Sequence, residues 1–143
     1  MGTDKEMVVR QFLGAWNERD GKRLGDFFAD DAVFQMMARE PVNGRAAIEE
    51  ELTNQMAWAT DFDLAVLAIA SDGNAVLVER LDRFNMNGKT INVPVVGVFE
   101  LDGAGKLTAW RDYFDWDSMM NQVTAAGVDT SAAETEQTTP PAT

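Results

Sequence analysis

Near the start of the chain, apolar side chains return every three or four residues, at Val8, Val9, Phe12, Leu13 and Trp16, the spacing that gathers them on one side of a helix. Thr3 and Glu6 form a capping-box pattern ahead of them, so a helix is predicted to run to about Arg19. A second short helix fits Lys22 to Phe28, and a short strand fits Ala32 to Met37. Asn43 and Gly44 then open a third helix, with Ile48, Leu52 and Met56 on one side. Its first half carries Glu49, Glu50 and Glu51, charges that suit a helix N-terminus.

From Asp61 the period changes to that of strands, punctuated by turn signals at Ser71 to Asn74, Asn85 to Lys89 and Asp102 to Gly105. Short links of this kind join antiparallel neighbours, so a meander is predicted over about 60–70, 75–85, 90–101 and 106–115. A last helical turn fits Asp117 to Ala126. The expected organisation is one α+β domain over 1–126, with N-terminal helices closing one face of a curved, mostly antiparallel sheet over a hydrophobic pocket. Residues 127–143 contain few large apolar side chains and are expected to be a disordered tail.

Composition narrows the chemistry. Of 143 residues, 24 are acidic and 12 basic, for a net charge of −12, which repels nucleic acid and anionic lipid. Histidine and cysteine are both absent, which excludes thiol nucleophiles, disulfides, histidine-containing triads and imidazole or thiolate metal sites. Carboxylates are left to do acid and base work. No apolar run approaches the roughly 20 residues of a bilayer span, and no leader pattern opens the sequence, so a cytoplasmic location and no membrane partner are expected. Three features read as structural: Glu49, Glu50 and Glu51 diverge around a helix and read as a solvated face, Gly103 and Gly105 as a hairpin turn, and Trp58, Trp110 and Trp116 as packing residues.

Strand alternation puts Val76, Val78, Arg80, Asp82 and Phe84 on one face, and Thr108, Trp110, Asp112 and Phe114 on one face of the last strand. Alternation alone leaves two readings open. Arg80 and Asp82 form a surface ion pair while Asp112 meets Arg111 or solvent, or all three meet inside the cavity, where one guanidinium between two carboxylates makes an acid and a base.

The segments FFADDAVFQMM (Phe27 to Met37), ERLDRF (Glu79 to Phe84) and VVGVFELDGAGKLTAWRDYFD (Val95 to Asp115) resemble the limonene-1,2-epoxide hydrolases. The resemblance runs from about Glu6 to Asp117 and implies an NTF2-like cone. It further implies a cofactor-independent, metal-free epoxide hydrolase that adds water to a hydrophobic epoxide to give a vicinal diol. On that resemblance Asp112 is the base that activates water, Asp82 the acid that protonates the epoxide oxygen, and Arg80 the bridge between them. It also implies a homodimer built on the outer sheet face, where Leu77, Leu81 and Ile91 or their neighbours are the expected contacts.

Two positions depart from the pattern. Where these hydrolases carry a Tyr and an Asn that hold the attacking water, this chain has Phe34 and Met36, neither of which holds water by useful hydrogen bonds. At about 1 to 3 kcal/mol per lost bond, the two losses slow water attack by about tenfold to several hundredfold or more. Gln35, if a bulge turns it inward, or Asn54 is a substitute holder; alternatively the water is loosely held, or the attacker belongs to the substrate, which describes an isomerase or an epoxide-opening cyclase. A non-catalytic binding protein is a further alternative. Leu13, Trp16, Phe34, Met36, Leu64, Phe84, Val93, Val95, Trp110 and Phe114 are the candidate pocket wall, which suits an uncharged terpene, aryl, alicyclic or steroid-like ligand.

Overall fold

The computed structural model describes residues 4–129. Helix α1, Asp4–Gly14, continues as a 3₁₀ turn over Ala15–Glu18 and leads to a short α2, Gly21–Gly25. Strands β1, Phe28–Met37, and β2, Val42–Asn43, precede α3, Arg45–Trp58. Then come β3, Thr60–Asp72, β4, Ala75–Met86, β5, Lys89–Leu101, β6, Leu107–Tyr113, and finally α4, Trp116–Ala125. All six strands form one sheet in the order β2-β1-β6-β5-β4-β3. The expected meander of β3 to β6 is antiparallel throughout, whereas β1 joins it by pairing parallel to β6.

Local chemistry explains where elements end. Asp20 caps α2 by accepting from the backbone N–H of Arg23, but the helix stops at Gly25, earlier than the expected Phe28. There α2 lies hard against α3: a methyl group on Gly25 would sit 2.7 Å from the Glu49 carboxylate. Strand β1 therefore begins at Phe28, before the expected Ala32. Asp102 closes the β5–β6 hairpin by accepting from the backbone N–H groups of Ala104 and Lys106, with Gly105 in the left-handed region at φ 80°. The predicted last turn is a full helix, α4, capped by Asp115 on the Ser118 N–H. The Thr3 end of the predicted capping box and residues 130–143 lie outside the described residues. Of the expected tail, Gly127 to Asp129 are described, and Val128 packs against the core.

The sheet curves because β3 slips register between Thr60 and Asp63 and again between Val66 and Ala68, and such bulges increase local twist. Its concave face receives α1 and α3. Phe12 of α1 sits at the centre of that contact, edge-on to Phe27, Phe28, Phe99 and Trp110 at centroid distances of 5.4, 5.4, 6.1 and 5.0 Å. Register aligns Phe34, Trp110 and Phe99 across β1, β6 and β5, and the two phenylalanines stack on Trp110 at 4.1 and 5.5 Å.

On the convex face Leu77, Val96 and Tyr113 are exposed, and Leu81 is half-buried. Ile91 does not belong there. It pairs with Phe84, an inward residue, and is 1% exposed, so the expectation that it lies on the outer face is corrected. Among the described residues no helix is long and apolar enough to cross a membrane.

Candidate active site

Arg80 and Asp82 project from β4 onto the concave face, and Asp112 projects from β6, with β5 running between them. The Arg80 side chain crosses β5 to reach Asp112. What allows it is Gly97, the residue of β5 that pairs with both Val78 and Asp112. A Cβ at Gly97 would lie 2.5 Å from Arg80 Nη1 and 2.8 Å from Asp112 Oδ1, closer than real contacts allow. The absent side chain is the passage for the guanidinium.

The guanidinium makes four hydrogen bonds to the two carboxylates. Nε donates to Asp82 Oδ1 at 2.9 Å and Nη1 to Asp112 Oδ1 at 3.1 Å. Nη2 is shared, donating to Asp82 Oδ2 at 2.8 Å and to Asp112 Oδ2 at 2.9 Å. Asp112 Oδ1 also accepts from Trp110 Nε1 at 2.7 Å. All three charged side chains are withdrawn from solvent, at 1% exposure for Arg80, 14% for Asp82 and 10% for Asp112. The surface ion-pair reading therefore fails, and Arg111 pairs instead with Glu100 at 2.6 Å.

Two carboxylates around one cation leave a net negative charge that one proton removes. Burial pushes the Asp82 carboxyl above its ordinary range; hydrogen bonding and the charge of Arg80 oppose this, and the negative charge of Asp112 adds to the upward push. Burial by itself would lower the affinity of Arg80 for its proton, but Asp112 and Asp82 together raise it, so Arg80 stays charged.

The trio forms the floor of a cavity of about 840 Å³. Trp16, Phe34, Met36, Leu64, Phe84, Val93, Val95, Trp110 and Phe114 line it as expected. Leu13 does not, being buried in the core on α1. Gln35 is also removed as a water holder: it pairs with Arg111 in register, on the opposite face from Met36 and Asp112, and its side chain donates to the Arg39 carbonyl at 2.8 Å. Asn54 does line the cavity.

Several lining groups escaped the sequence reading. Glu51 and Gln55 of α3 face the cavity beside Asn54, so Glu51 is not simply part of a solvated run. Trp58 stands at the mouth with 64% exposure rather than packing inside. Arg39 lies over the Trp116 ring at 4.0 Å, a cation–π contact. Met119, Met120 and Val123 of α4 supply an apolar wall. A helical stripe at 51, 54, 55 and 58 was readable as spacing, but its residues are polar or aromatic and a search for apolar periodicity passes over them.

The family model described as the limonene-1,2-epoxide hydrolase catalytic domain matches residues 3–125. Epoxide hydrolase EphG of Mycobacterium tuberculosis is 32% identical over 108 residues, spanning 76% of this chain and 71% of that protein. A solved structure of an LEH-like epoxide hydrolase from M. tuberculosis superposes with a TM-score of 0.73 at 28% identity, covering 90% of this chain and 94% of the other. The epoxide hydrolase/cyclase-like enzyme SalBIII, described in connection with pyran ring formation in the polyether salinomycin, is similar in fold, with a TM-score of 0.69 at 21% identity over 80% of this chain and 92% of its own. The fold is thus NTF2-like, and the chain belongs to the limonene-1,2-epoxide hydrolase family.

Proposed function

We propose that this cavity opens hydrophobic epoxides with water to give vicinal diols, Asp82 supplying a proton and Asp112 removing one. The observation that carries the reading is a single guanidinium held between two buried carboxylates, of which Asp82 is pushed toward its protonated form. The oxygen of water attacks one epoxide carbon while Asp112 takes a proton from it. The carbon–oxygen bond of the ring breaks, and its electron pair takes the proton of Asp82. Epoxide and water are consumed and one diol leaves; exchange with solvent returns the proton from Asp112 to Asp82. Asp82 stays loaded to higher pH than an ordinary aspartate, which is what a general acid at this position needs.

Membership of the family and the EphG relative support hydrolysis. One observation favours a second reading. Beside Asp112, Phe34 is stacked against Trp110 and Met36 stands opposite Asp112 in register, so neither offers a group to hold water. A hydroxyl of the substrate then replaces water as the attacker, and the product is a cyclic ether isomeric with the substrate. The pyran-ring context of SalBIII fits that reading.

Oxygen-18 water separates the two. With cyclic and aryl epoxides the expected product is a diol carrying one labelled oxygen, and mass spectrometry of an unlabelled, isomeric product would replace hydrolysis by cyclisation or rearrangement. Phe34→Tyr combined with Met36→Asn is expected to raise diol formation by about tenfold or more if water holding limits the rate, since each restored hydrogen bond contributes roughly 1 kcal/mol. No gain would mean that water holding at these two positions does not limit the rate.

Gly97 acts here as a positioning residue. Gly97→Ala is expected to leave the fold intact and to lower kcat by about a hundredfold, because its methyl group displaces the guanidinium or the carboxylate that meet over it. Unchanged kcat would mean that the trio tolerates the shift. We further place a two-fold contact on the convex face around Leu77, Val96 and Tyr113, so light scattering should give the mass of a dimer; a monomer at micromolar concentration would remove it.

A further inference from the structure

One guanidinium serves both carboxylates almost evenly. Arg80 gives Asp82 bonds of 2.9 and 2.8 Å, and Asp112 bonds of 3.1 and 2.9 Å. Both acids are withdrawn from solvent to a similar degree, at 14% and 10% exposure. Arginine by itself therefore leaves open which of them carries the proton that removes the net negative charge of the trio.

A second donor breaks the balance. Trp110 Nε1 donates to Asp112 Oδ1 at 2.7 Å, the shortest bond in the cluster, whereas among the described residues Asp82 accepts from Arg80 alone. An added N–H stabilises a carboxylate more than a neutral carboxyl, so it keeps the charge on Asp112 and sends the proton to Asp82. Burial pushes the Asp82 carboxyl the same way, against the bonds and charge of Arg80, and the negative charges of Asp112 and Asp63 add to the push. The indole cannot easily turn away. Phe34 and Phe99, on the strands either side, stack on it at 4.1 and 5.5 Å, and Phe12 meets it edge-on at 5.0 Å. Oδ1 of Asp112 thus accepts from Trp110 and from Arg80 Nη1, while Oδ2 accepts from Nη2 only and keeps a lone pair free.

We propose that Trp110 is a positioning residue that assigns the roles of the two acids: its N–H holds Asp112 as the base, with Oδ2 as the oxygen that takes a proton, and leaves the shared proton on Asp82. The effect on turnover rests on the reading of the trio as the site of epoxide opening; the placement of the proton does not.

The test removes the N–H and keeps the ring. Benzothienylalanine, introduced at an amber codon in place of Trp110, has two fused rings with sulfur where the N–H was, and Trp110→Phe is the second variant. Arg39, Glu40, Glu51 and Asp129 also line the cavity, and neither change alters them, so their charges are common to all three proteins. Proton positions are read from the carbon-13 shifts of the Asp82 and Asp112 carboxyl carbons across pH, assigned with Asp82→Asn and Asp112→Asn. In wild type the first proton taken up as pH falls is expected on Asp82. Without the N–H the ratio of its occupancy, Asp82 over Asp112, should fall by about tenfold, the size of one hydrogen bond to a charged group. The acid limb of kcat/KM should then move to higher pH by about one unit, with the alkaline limb moving much less, because the lost bond acts on Asp112 and not on Asp82. Circular dichroism confirms folding, and either variant suffices where the other fails to fold.

Carboxyl carbons that titrate as in wild type overturn the assignment whatever happens to kcat, since lost packing slows turnover without moving a proton between the acids. A wild-type protein whose first proton goes to Asp112 overturns it without any variant. If the proton moves as expected but wild type opens no epoxide, the role of Trp110 stands and the hydrolase reading falls.

Discussion

Asp112→Asn should remove turnover by roughly a hundredfold to ten-thousandfold while the protein stays folded, the range for loss of a general base. Two losses combine in this one substitution. The amide cannot take a proton from water, and it no longer carries the negative charge that helps hold a proton on Asp82. Removing that charge lowers the pH at which Asp82 gives up its proton, so residual activity should be confined to lower pH than in wild type. In wild type itself, kcat/KM should fall on the alkaline side as Asp82 deprotonates, at a pH above that of an ordinary aspartate. The amide retains the shape and one acceptor for Trp110 or Arg80, with a mismatched N–H costing about 1 to 3 kcal/mol of stability. Activity profiles of the two proteins against pH, with thermal melts alongside, check both parts. Full turnover in Asp112→Asn would exclude this residue as the base, and loss of the folded state would leave the catalytic question to the pH profile of wild type.

Strand alternation made the facing of the trio legible, but left open whether those faces meet; the family resemblance is what favoured the cavity. Arg80 and Asp82 are two apart on β4, Asp112 lies between Trp110 and Phe114 on β6, and these parities place all three on the face that the apolar neighbours mark as inward. Turn chemistry marked the hairpins equally well, as Asp102 and Gly105 show. What parity does not encode is which strands meet. The parallel pairing of β1 with β6 joins segments far apart in the chain, and it alone brings Phe34 onto Trp110 and Met36 beside Asp112. Gly97 was invisible for a related reason: a glycine within a strand has a role only once the side chain passing over it is known. Leu13 sits on the predicted face of α1, but the cavity opens beside Trp16 and not beneath Leu13. Ile91 was misplaced against the alternation of its own strand, since it lies two and four residues before Val93 and Val95, both read as pocket wall.

Arg80→Met should be the most destabilising single change in the site, costing about 3 to 5 kcal/mol at neutral pH. Methionine fills much of the same volume and removes the charge that bridges the two buried carboxylates. For a domain of this size that corresponds to a drop in Tm on the order of 10 °C. The loss should depend on pH in a definite sense. Asp82 already binds its proton more tightly folded than unfolded, so its contribution is greatest below the unfolded value and is lost as pH rises through the folded one. Without Arg80 the Asp82 carboxyl loses the charge that opposes its burial and holds its proton more tightly still, so the Tm gap to wild type should widen as pH rises above the ordinary aspartate range. A constant gap would mean that the cost is one of packing. The triple change Arg80→Met, Asp82→Leu, Asp112→Leu removes every buried charge of the trio, and it should recover most of the stability lost in Arg80→Met while remaining inactive. That outcome would place the reason for three charged groups under an apolar cavity in chemistry. A triple variant less stable than Arg80→Met would instead make the ion cluster a structural brace across β4, β5 and β6.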